Sequence, residues 1–349
     1  MTGALPLAIF PAPASVPPPH DDTRRELFDR FPALELASRR AVASPGEAQW
    51  RGPDALSAGI IPLWTPENLI FVFEVRQPQA CNRAPAGQLW SRDSLEFYLD
   101  CREERDDICR GNAWHIILAP PEESLAPEGR AELADGRPLP SGMRFELSRT
   151  ATGWRGTLTL PAAAAGKEAF RAGDRLYWGV QLIDTARFRR NRNPFTPVLC
   201  LRFPCRDGLH NHFTLLPEWV LRDGDPAAAT GMDLTHTVNA EIPLFCRCEE
   251  FSGTIRPTPA VARRFRSWHL TLTDSSGRNY ESKGDSCTLT ADWPHCAPGR
   301  ASWVLTLLDA AGRKFGAASG KTVFYDAVRV RKLCSAALEQ VRADRKSVV

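Results

Sequence analysis

The sequence predicts an all-β protein. An antiparallel β-sandwich is followed by a smaller immunoglobulin-like or fibronectin-like β-sandwich and a short C-terminal helix. Many short apolar runs are separated by turn residues, and few segments have helical spacing. Strands and long helices do not alternate, which argues against a parallel α/β sheet. The length of 349 residues suits about two domains.

Composition shifts along the chain predict four segments. Residues 1–30 contain the proline-rich stretch PAPASVPPPHDD, which is typical of an extended lead-in. Residues 222–231 (RDGDPAAATG) are typical of a linker. The predicted first sandwich therefore covers residues 31–222, the second covers 232–331, and a helical tail covers 332–349.

The first sandwich is predicted from apolar runs, several of which alternate with polar residues. Its predicted strands are Leu69–Arg76, Asp93–Cys101, Ala113–Leu118, Met143–Ser148, Trp154–Leu160, Leu176–Asp184 and Pro197–Phe203. A run of alanines at Ala162–Phe170, followed by Gly173, predicts one short helix.

The second sandwich is predicted from a similar series, with Asp-to-Gly turns after two of its strands. The predicted strands are Leu234–Leu244, Ser267–Leu272, Cys287–Ala291, Trp303–Leu308 and Thr322–Val330. Three tryptophans are expected in its core: Trp268, Trp293 and Trp303. Helical spacing of Leu333, Ala336, Ala337 and Val341 predicts the terminal helix.

The net charge of +3 and the pI near 8.4 give no reason to expect nucleic acid or a membrane surface as a partner. No apolar run has the length of a membrane span. The first residues lack the basic leader of a secretory signal. A cytoplasmic protein, a start further upstream and a weak signal all stay open, and oligomeric state is not predicted.

The ten cysteines permit disulfides without requiring them. The pair Cys246 and Cys248 has a spacing that suits neither a zinc knuckle nor a redox motif. Buried or half-buried strand cysteines are expected, although Cys101 and Cys109 flank a charged loop and could bridge. No cofactor or metal site is predicted: His210 and His212 lack a third ligand, and no axial pair for haem stands out.

The stretch LWSRDSLEFYLDC at 89–101 places polar residues on one face of a strand and apolar residues on the other. Neighbouring strands carry His115 in AWHIIL and Gln181 in LYWGVQLID. One sheet face is therefore predicted to present a polar set around Gly179: Glu96, Tyr98, His115, Tyr177 and Gln181. Aromatic and hydrogen-bonding side chains of this kind suit a neutral polyhydroxylated ligand.

Several blocks of the chain resemble the family-nine carbohydrate-binding modules, part of the wider group of DOMON-like sandwiches. They are W-R-G-P-D-A-L-S-A from Trp50, the strand LIFVFEVR, W-x-x-D-S-x-E at Trp90–Glu96, and Q-x-x-D at Gln181–Asp184. The resemblance covers about residues 31–218. It implies an antiparallel sandwich that binds carbohydrate without catalysis, and it favours a place outside the cytoplasm.

In that family two tryptophans clamp a terminal sugar, while Glu, Arg, Gln and Asn side chains hold its hydroxyls. The resemblance places Trp90 on the first tryptophan, Glu96 on the glutamate, Gln181 on the glutamine and His115 on the arginine. The second tryptophan is expected near residues 206–211, where the sequence is RDGLHN. A different ligand from the family's usual sugar, or no sugar, stays open.

Each of these residues has a structural alternative. Trp90 could be a core or rim residue, Glu96 could pair with an arginine, and His115 could be an ordinary sheet histidine. The basic loop RFRRNR at 187–192 could contact an acidic sugar or simply be solvated.

No catalytic motif is recognisable, so an enzyme is not predicted. A glycoside hydrolase would need two carboxylates flanking the scissile bond, and sequence does not pair them. The other alternative is an accessory module of a larger glycoside hydrolase system, with no sugar binding of its own.

Overall fold

The chain forms two compact units in the computed structural model: residues 1–237 with 258–263, and residues 238–257 with 264–349. The predicted second domain starts at residue 232, six residues before the second unit. The structure describes residues 7–37, 41–44, 50–122, 126–185, 199–203, 212–224, 232–233, 238–241, 245–247, 251–257, 265–291 and 296–346.

Among its described residues the first unit has short 3-10 turns at Asp22–Arg24, Leu89–Ser91 and Phe213–Leu215, one α-helix, α1 (Arg25–Arg30), and fourteen strands. The strands are β1 (Leu7–Pro11), β2 (Leu34–Leu36), β3 (Val42–Ser44), β4 (Ser57–Trp64), β5 (Asn68–Arg76), β6 (Ser94–Asp100), β7 (Ala113–Ala119), β8 (Arg130–Leu133), β9 (Arg144–Thr150), β10 (Gly153–Pro161), β11 (Arg175–Asp184), β12 (Leu199–Phe203), β13 (Glu218–Leu221) and β14 (Met232–Asp233).

Two sheets of this unit pack face to face, as predicted. The front sheet has the order β8-β7-β6-β11-β13, with β12 also paired to β11, and the back sheet has the order β9-β10-β5-β4-β2. Phe71 of β5 lies 5.2 Å from Phe97 of β6 and 5.0 Å from Trp178 of β11, between ring centroids. Alternate apolar residues of both sheets therefore form a single core.

The N-terminal segment is more than an extended lead-in. Strand β1 pairs in parallel with β13 through Leu7–Ile9 and with β4 through Phe10 and Pro11. It thereby joins the two sheets, and it is the exception to the otherwise antiparallel pairing described in this unit. Further on, Phe28 of α1 packs against Gly59 of β4, on the outer face of the back sheet.

The helix predicted at Ala162–Phe170 is wrong, because this segment forms successive turns. The amide of Gly166 donates to the carbonyl of Ala163 at 3.1 Å, and Gly166 has a φ of +75°, which breaks right-handed helical geometry. Ala162 and Ala165 are buried in the core, so packing prevails over the helix propensity of alanine.

The second unit contains β15 (Val238–Glu241), β16 (Phe245–Arg247), β17 (Phe251–Pro257), β18 (Ser267–Thr273), β19 (Asn279–Gly284), β20 (Thr288–Ala291), β21 (Gly299–Leu308), β22 (Lys314–Tyr325) and α2 (Ala327–Lys346). One sheet has the order β22-β21-β18-β19, with β16 parallel to β22, and another has the order β15-β17-β20. Trp268 and Trp303 are buried, as predicted, whereas Trp293 lies outside the described residues.

The strand predicted at Thr322–Val330 is wrong at its end, because β22 stops at Tyr325 and α2 begins at Ala327. The Asp326 carboxylate accepts hydrogen bonds from the amides of Val328 at 2.9 Å and Arg329 at 3.0 Å. Asp326 therefore acts as an N-cap, which starts the helix five residues before the predicted position.

The turn between β18 and β19 depends on the carboxylate of Asp274. This carboxylate accepts hydrogen bonds from the Ser276 hydroxyl at 2.6 Å, the Tyr280 hydroxyl at 3.0 Å and the amide of Ala297 at 3.0 Å. It also accepts from the amides of Ser276 at 2.8 Å and Arg278 at 3.1 Å. We expect Asp274→Ala to lower the free energy of unfolding of the second unit by about 4–5 kcal/mol, at about 1 kcal/mol for each of the five lost bonds. Urea unfolding of the full chain measures this. A loss no larger than that of the exposed control Asp285→Ala would contradict the assignment.

Candidate functional site

The outer face of the front sheet carries the polar residues singled out in the sequence. Glu96 of β6 lies opposite Gln181 of β11, and Tyr98 of β6 lies opposite His115 of β7. Their neighbours Leu95 and Phe97 point into the core. The structure thus brings Glu96, His115 and Gln181 together on one face, because the three strands pair in the register that alternation requires.

The Glu96 carboxylate lies at the centre of a hydrogen-bonded network. Its Oε1 accepts from the Ser94 hydroxyl at 3.1 Å, and its Oε2 accepts from the Tyr98 hydroxyl at 3.1 Å. The same Oε2 lies 2.9 Å from Nε2 of His115. Glu96 is only 2% exposed, so its hydrogen bonds replace the water that it gave up on folding. The carboxylate pairs with a histidine, and not with the arginine of the structural alternative.

His115 is held in orientation from two sides. Its ring stacks on Tyr98 with centroids 4.2 Å apart and planes 24° apart, while Nε2 meets Glu96. In a neutral imidazole that donates from Nε2, Nδ1 is a hydrogen-bond acceptor. Burial, and then the nearby Glu96 carboxylate, raise the pKa of Tyr98 well above its usual range. The phenol therefore stays protonated and keeps donating to Glu96.

Trp90 lies on a 3-10 turn at Leu89–Ser91, which precedes β6, the strand of Glu96. Leu89 packs against Ile117 and Ala119 of β7, and Ile117 lies opposite Glu96 on the same face. Trp90 is 55% exposed, which excludes the core alternative for its side chain. His115 and Gln181 are each 9% exposed, so the face is more closed than the sequence alone indicates.

Asp93 fixes the position of the turn that carries Trp90. The Asp93 carboxylate is fully buried and accepts from the amide of Cys81 at 2.8 Å and from the amide and hydroxyl of Thr185, both at 2.6 Å. The Asn82 side-chain amide donates to the carbonyls of Leu89 and Asp93, both at 2.9 Å. Neither role was predicted from the sequence; the aspartate within W-x-x-D-S-x-E was the available signal.

The edge strand β8 supports the same turn. The Glu132 carboxylate accepts from the amides of Gly87 at 2.6 Å and Leu89 at 2.7 Å. Arg130 donates to the carbonyl of Ala84 at 2.6 Å. Because many backbone groups of this loop are hydrogen-bonded, the exposed indole is held in a defined position. Binding a ligand would therefore cost little further conformational entropy.

The opposite end of the face is filled by ion pairs. The guanidinium of Arg105 lies 3.6 Å from the ring centre of Tyr177, and its Nε lies 3.5 Å from the buried Asp100 carboxylate. Arg102 contacts the same carboxylate at 2.9 Å, and the Tyr177 hydroxyl donates to Glu218 at 3.1 Å. Tyr177 thus shares the face, as predicted, but its ring is covered on one side by Arg105.

Several sequence hypotheses fall on residues outside those described: the second clamp position at 206–211, the basic loop at 187–192 and His210. Within the described ranges, no group of three His, Cys, Asp or Glu side chains could hold a metal ion. Cys101 and Cys109 carry free thiols, so a bridge between them is wrong, and burial raises the pKa of the Cys101 thiol to about 12.

No family model and no curated protein matches the chain. The structure is similar to a family 9 carbohydrate-binding module from Caldicellulosiruptor kristjanssonii in complex with cellotriose, at 12% identity and a TM-score of 0.45, over 65% of this chain and 98% of that one. It is also similar to a family 9 module from the same organism in complex with glucose, at 13% identity and a TM-score of 0.43, over 63% of this chain and 96% of that one. The match to fibronectin(III)-like modules of Clostridium thermocellum CbhA has 7% identity and a TM-score of 0.20, over 75% of this chain and 88% of that one.

Proposed function

We propose that the first unit binds a neutral carbohydrate without catalysis, on the face formed by Glu96, His115 and Gln181 beside Trp90. The observation that carries this proposal is an indole 55% exposed on a turn whose Leu89 packs against β7, the strand that carries His115 of the fixed polar network. An indole ring covers the apolar C–H face of a sugar, and amide and imidazole groups meet its hydroxyls.

Within this site we assign different roles to the buried and the partly open side chains. The Glu96 oxygens already accept from Ser94 and Tyr98 and contact His115, so Glu96 positions the histidine. His115 and Gln181 retain some exposure and would meet the ligand's hydroxyl groups directly. Trp90 would supply the apolar contact area. Its truncation would therefore weaken binding more than truncation of the other residues.

Non-catalytic binding is favoured because the two carboxylates of β6 on this face are not open for glycoside hydrolysis. Hydrolysis requires two carboxyl groups that flank the scissile bond. Glu96 is buried within its network, and Asp100 is fully buried and paired with Arg102. Neither is open to a glycosidic oxygen.

A second candidate is an accessory module that binds no sugar. The observation that favours it is the mutual hydrogen bonding of Glu96, Tyr98 and His115, which would stabilise the sheet without a ligand. In that case Trp90 would be an isolated exposed side chain, which surfaces often carry.

The proposal is tested by screening the purified chain on a glycan array and measuring the best ligand by calorimetry. We expect Trp90→Ala to weaken binding about tenfold or more, since the contact of an aromatic ring contributes about 1.5 kcal/mol. Ile108→Ala, which truncates an equally exposed apolar residue of another loop, is the control. If the chain binds no glycan, or if Trp90→Ala binds as the parent does, the accessory role replaces the proposal.

A further inference from the structure

The helix α2 (Ala327–Lys346) presents an apolar stripe that the described part of the second unit leaves uncovered. Within the stripe, Val330 is 43% exposed and Leu333 63%. Every side chain described from Val328 to Ala337 is exposed. Most of the stability of a helix in a protein comes from packing of its apolar face, so a surface that covers the stripe would stabilise α2.

The apolar positions of α2 follow one face of the helix. Val330, Leu333, Cys334 and Ala337 are spaced by three or four residues, and the same spacing continues to positions 338 and 341. At 100° per residue these positions fall within an arc of about 140°. The residues Arg329, Arg331 and Lys332 lie outside that arc, as do positions 342 and 346, whereas the charged positions 344 and 345, beyond the end of the stripe at 341, fall within its direction.

The charge of the chain is concentrated in this helix. Residues 327–346 contain six Lys and Arg residues and two acidic residues, a net charge of +4, whereas the whole chain has +3. The rest of the chain therefore has a net charge of −1, which is why the overall composition gives no sign of a basic surface. An anionic partner is the one that this charge complements.

We propose that α2 lies in the surface of a bilayer that contains anionic phospholipid, with its apolar stripe among the acyl chains and its basic residues at the headgroups. Clusters of about four to eight Lys or Arg residues on an amphipathic helix are typical of such binding. The helix is about 30 Å long, and the stripe from position 330 to 341 covers about 17 Å of it, at about 1.5 Å per residue. The helix lies on the bilayer and does not cross it, because among the described residues no helix has the length and apolar character of a membrane span.

A second copy of the same helix fits the stripe less well. Two helices of charge +4 repel each other, and the stripe covers fewer than the roughly three or four heptads that a stable coiled coil usually needs. Ala337 lies at the middle of the stripe and offers little area for packing between helices. Lipid tolerates small and mixed apolar residues, because it requires no interlocking of side chains.

Co-sedimentation of the full chain with phospholipid vesicles tests the proposal. We expect the protein to partition onto phosphatidylcholine vesicles that contain phosphatidylglycerol, and to do so far less onto pure phosphatidylcholine. The triple variant Arg329→Gln, Arg331→Gln, Lys332→Gln removes three exposed cations and keeps good helix formers. Its partition coefficient is expected to fall about a hundredfold, at about tenfold or less for each cation.

A control with the same change in net charge replaces three exposed arginines elsewhere: Arg51→Gln, Arg144→Gln and Arg300→Gln. We expect it to partition as the parent does, and circular dichroism checks that α2 stays helical in both variants. Equal partition onto the two kinds of vesicle, or equal losses in the two triple variants, would overturn the proposal. So would a dimer in sedimentation velocity that Leu333→Asp dissociates without any vesicle binding by the parent, which would assign the stripe to a second copy.

Discussion

Replacing Asp93 by alanine is expected to destabilise the first unit by about 4 kcal/mol, since it leaves three donors without their acceptor and each buried unsatisfied donor costs about 1–3 kcal/mol. These donors are the amide of Cys81 and the amide and hydroxyl of Thr185. Burial raises the pKa of Asp93, yet the carboxylate keeps these short contacts at its two oxygens. Urea unfolding of the full chain measures the loss.

Two further variants keep this result informative if Asp93→Ala does not fold. Thr185→Val removes only the hydroxyl donor and is expected to cost about 1 kcal/mol. Asp54→Ala removes an exposed carboxylate that pairs with Arg76, and it is expected to change little. Similar stabilities of Asp93→Ala and Asp54→Ala would show that the turn carrying Trp90 does not depend on Asp93.

Replacing Glu35 by glutamine is expected to stabilise the chain at about pH 8 by up to about 3 kcal/mol and to change little at about pH 4. Glu35 lies on β2 opposite Gly59, and burial raises the pKa of its carboxyl to about 7. The unfolded chain keeps the ordinary carboxyl pKa of 4.5. Below that pH the Glu35 carboxyl is neutral in both the folded and the unfolded state, so its burial does not lower the free energy of unfolding. As the pH rises toward the folded-state pKa, the unfolded state ionises first, and a tenfold difference in acidity between the two states corresponds to about 1.4 kcal/mol.

The matched control for this prediction is Glu26→Gln, because Glu26 is an exposed carboxylate on the neighbouring helix α1. Thermal unfolding of the parent and both variants at about pH 4 and about pH 8 gives the comparison. A gain for Glu35→Gln that is the same at both pH values would mean that its effect does not arise from ionisation of a buried carboxyl.

The polar face could be predicted because strands β6, β7 and β11 each direct alternate apolar residues into the core between the sheets. A strand of period two with an apolar side in the core fixes which residues share the other side, so Glu96, His115 and Gln181 follow from alternation once the strands pair. Each of the seven strands predicted for the first sandwich is present in the structure over its described residues.

Other features depend on tertiary contacts that local pattern does not contain. Strand β4 (Ser57–Trp64) lacks alternation because both of its faces are largely covered, and it holds Pro62. Strand β1 forms by pairing with β13, more than two hundred residues further along the chain. The role of Asp93 likewise depends on Thr185, which the fold brings to it from the end of β11. Val328 and Val330 suggested that the preceding strand continues, whereas the cap at Asp326 starts the helix before them.

The most direct test of carbohydrate binding at this face is the indole N–H signal of Trp90 in isotopically labelled protein, identified by its absence in Trp90→Phe. On titration with the glycan selected on the array, we expect this signal to shift in step with the calorimetric binding curve. The signals of the buried Trp154 and Trp178 are expected to stay in place. Saturable binding of the glycan with an unmoved Trp90 signal would contradict a site at this face.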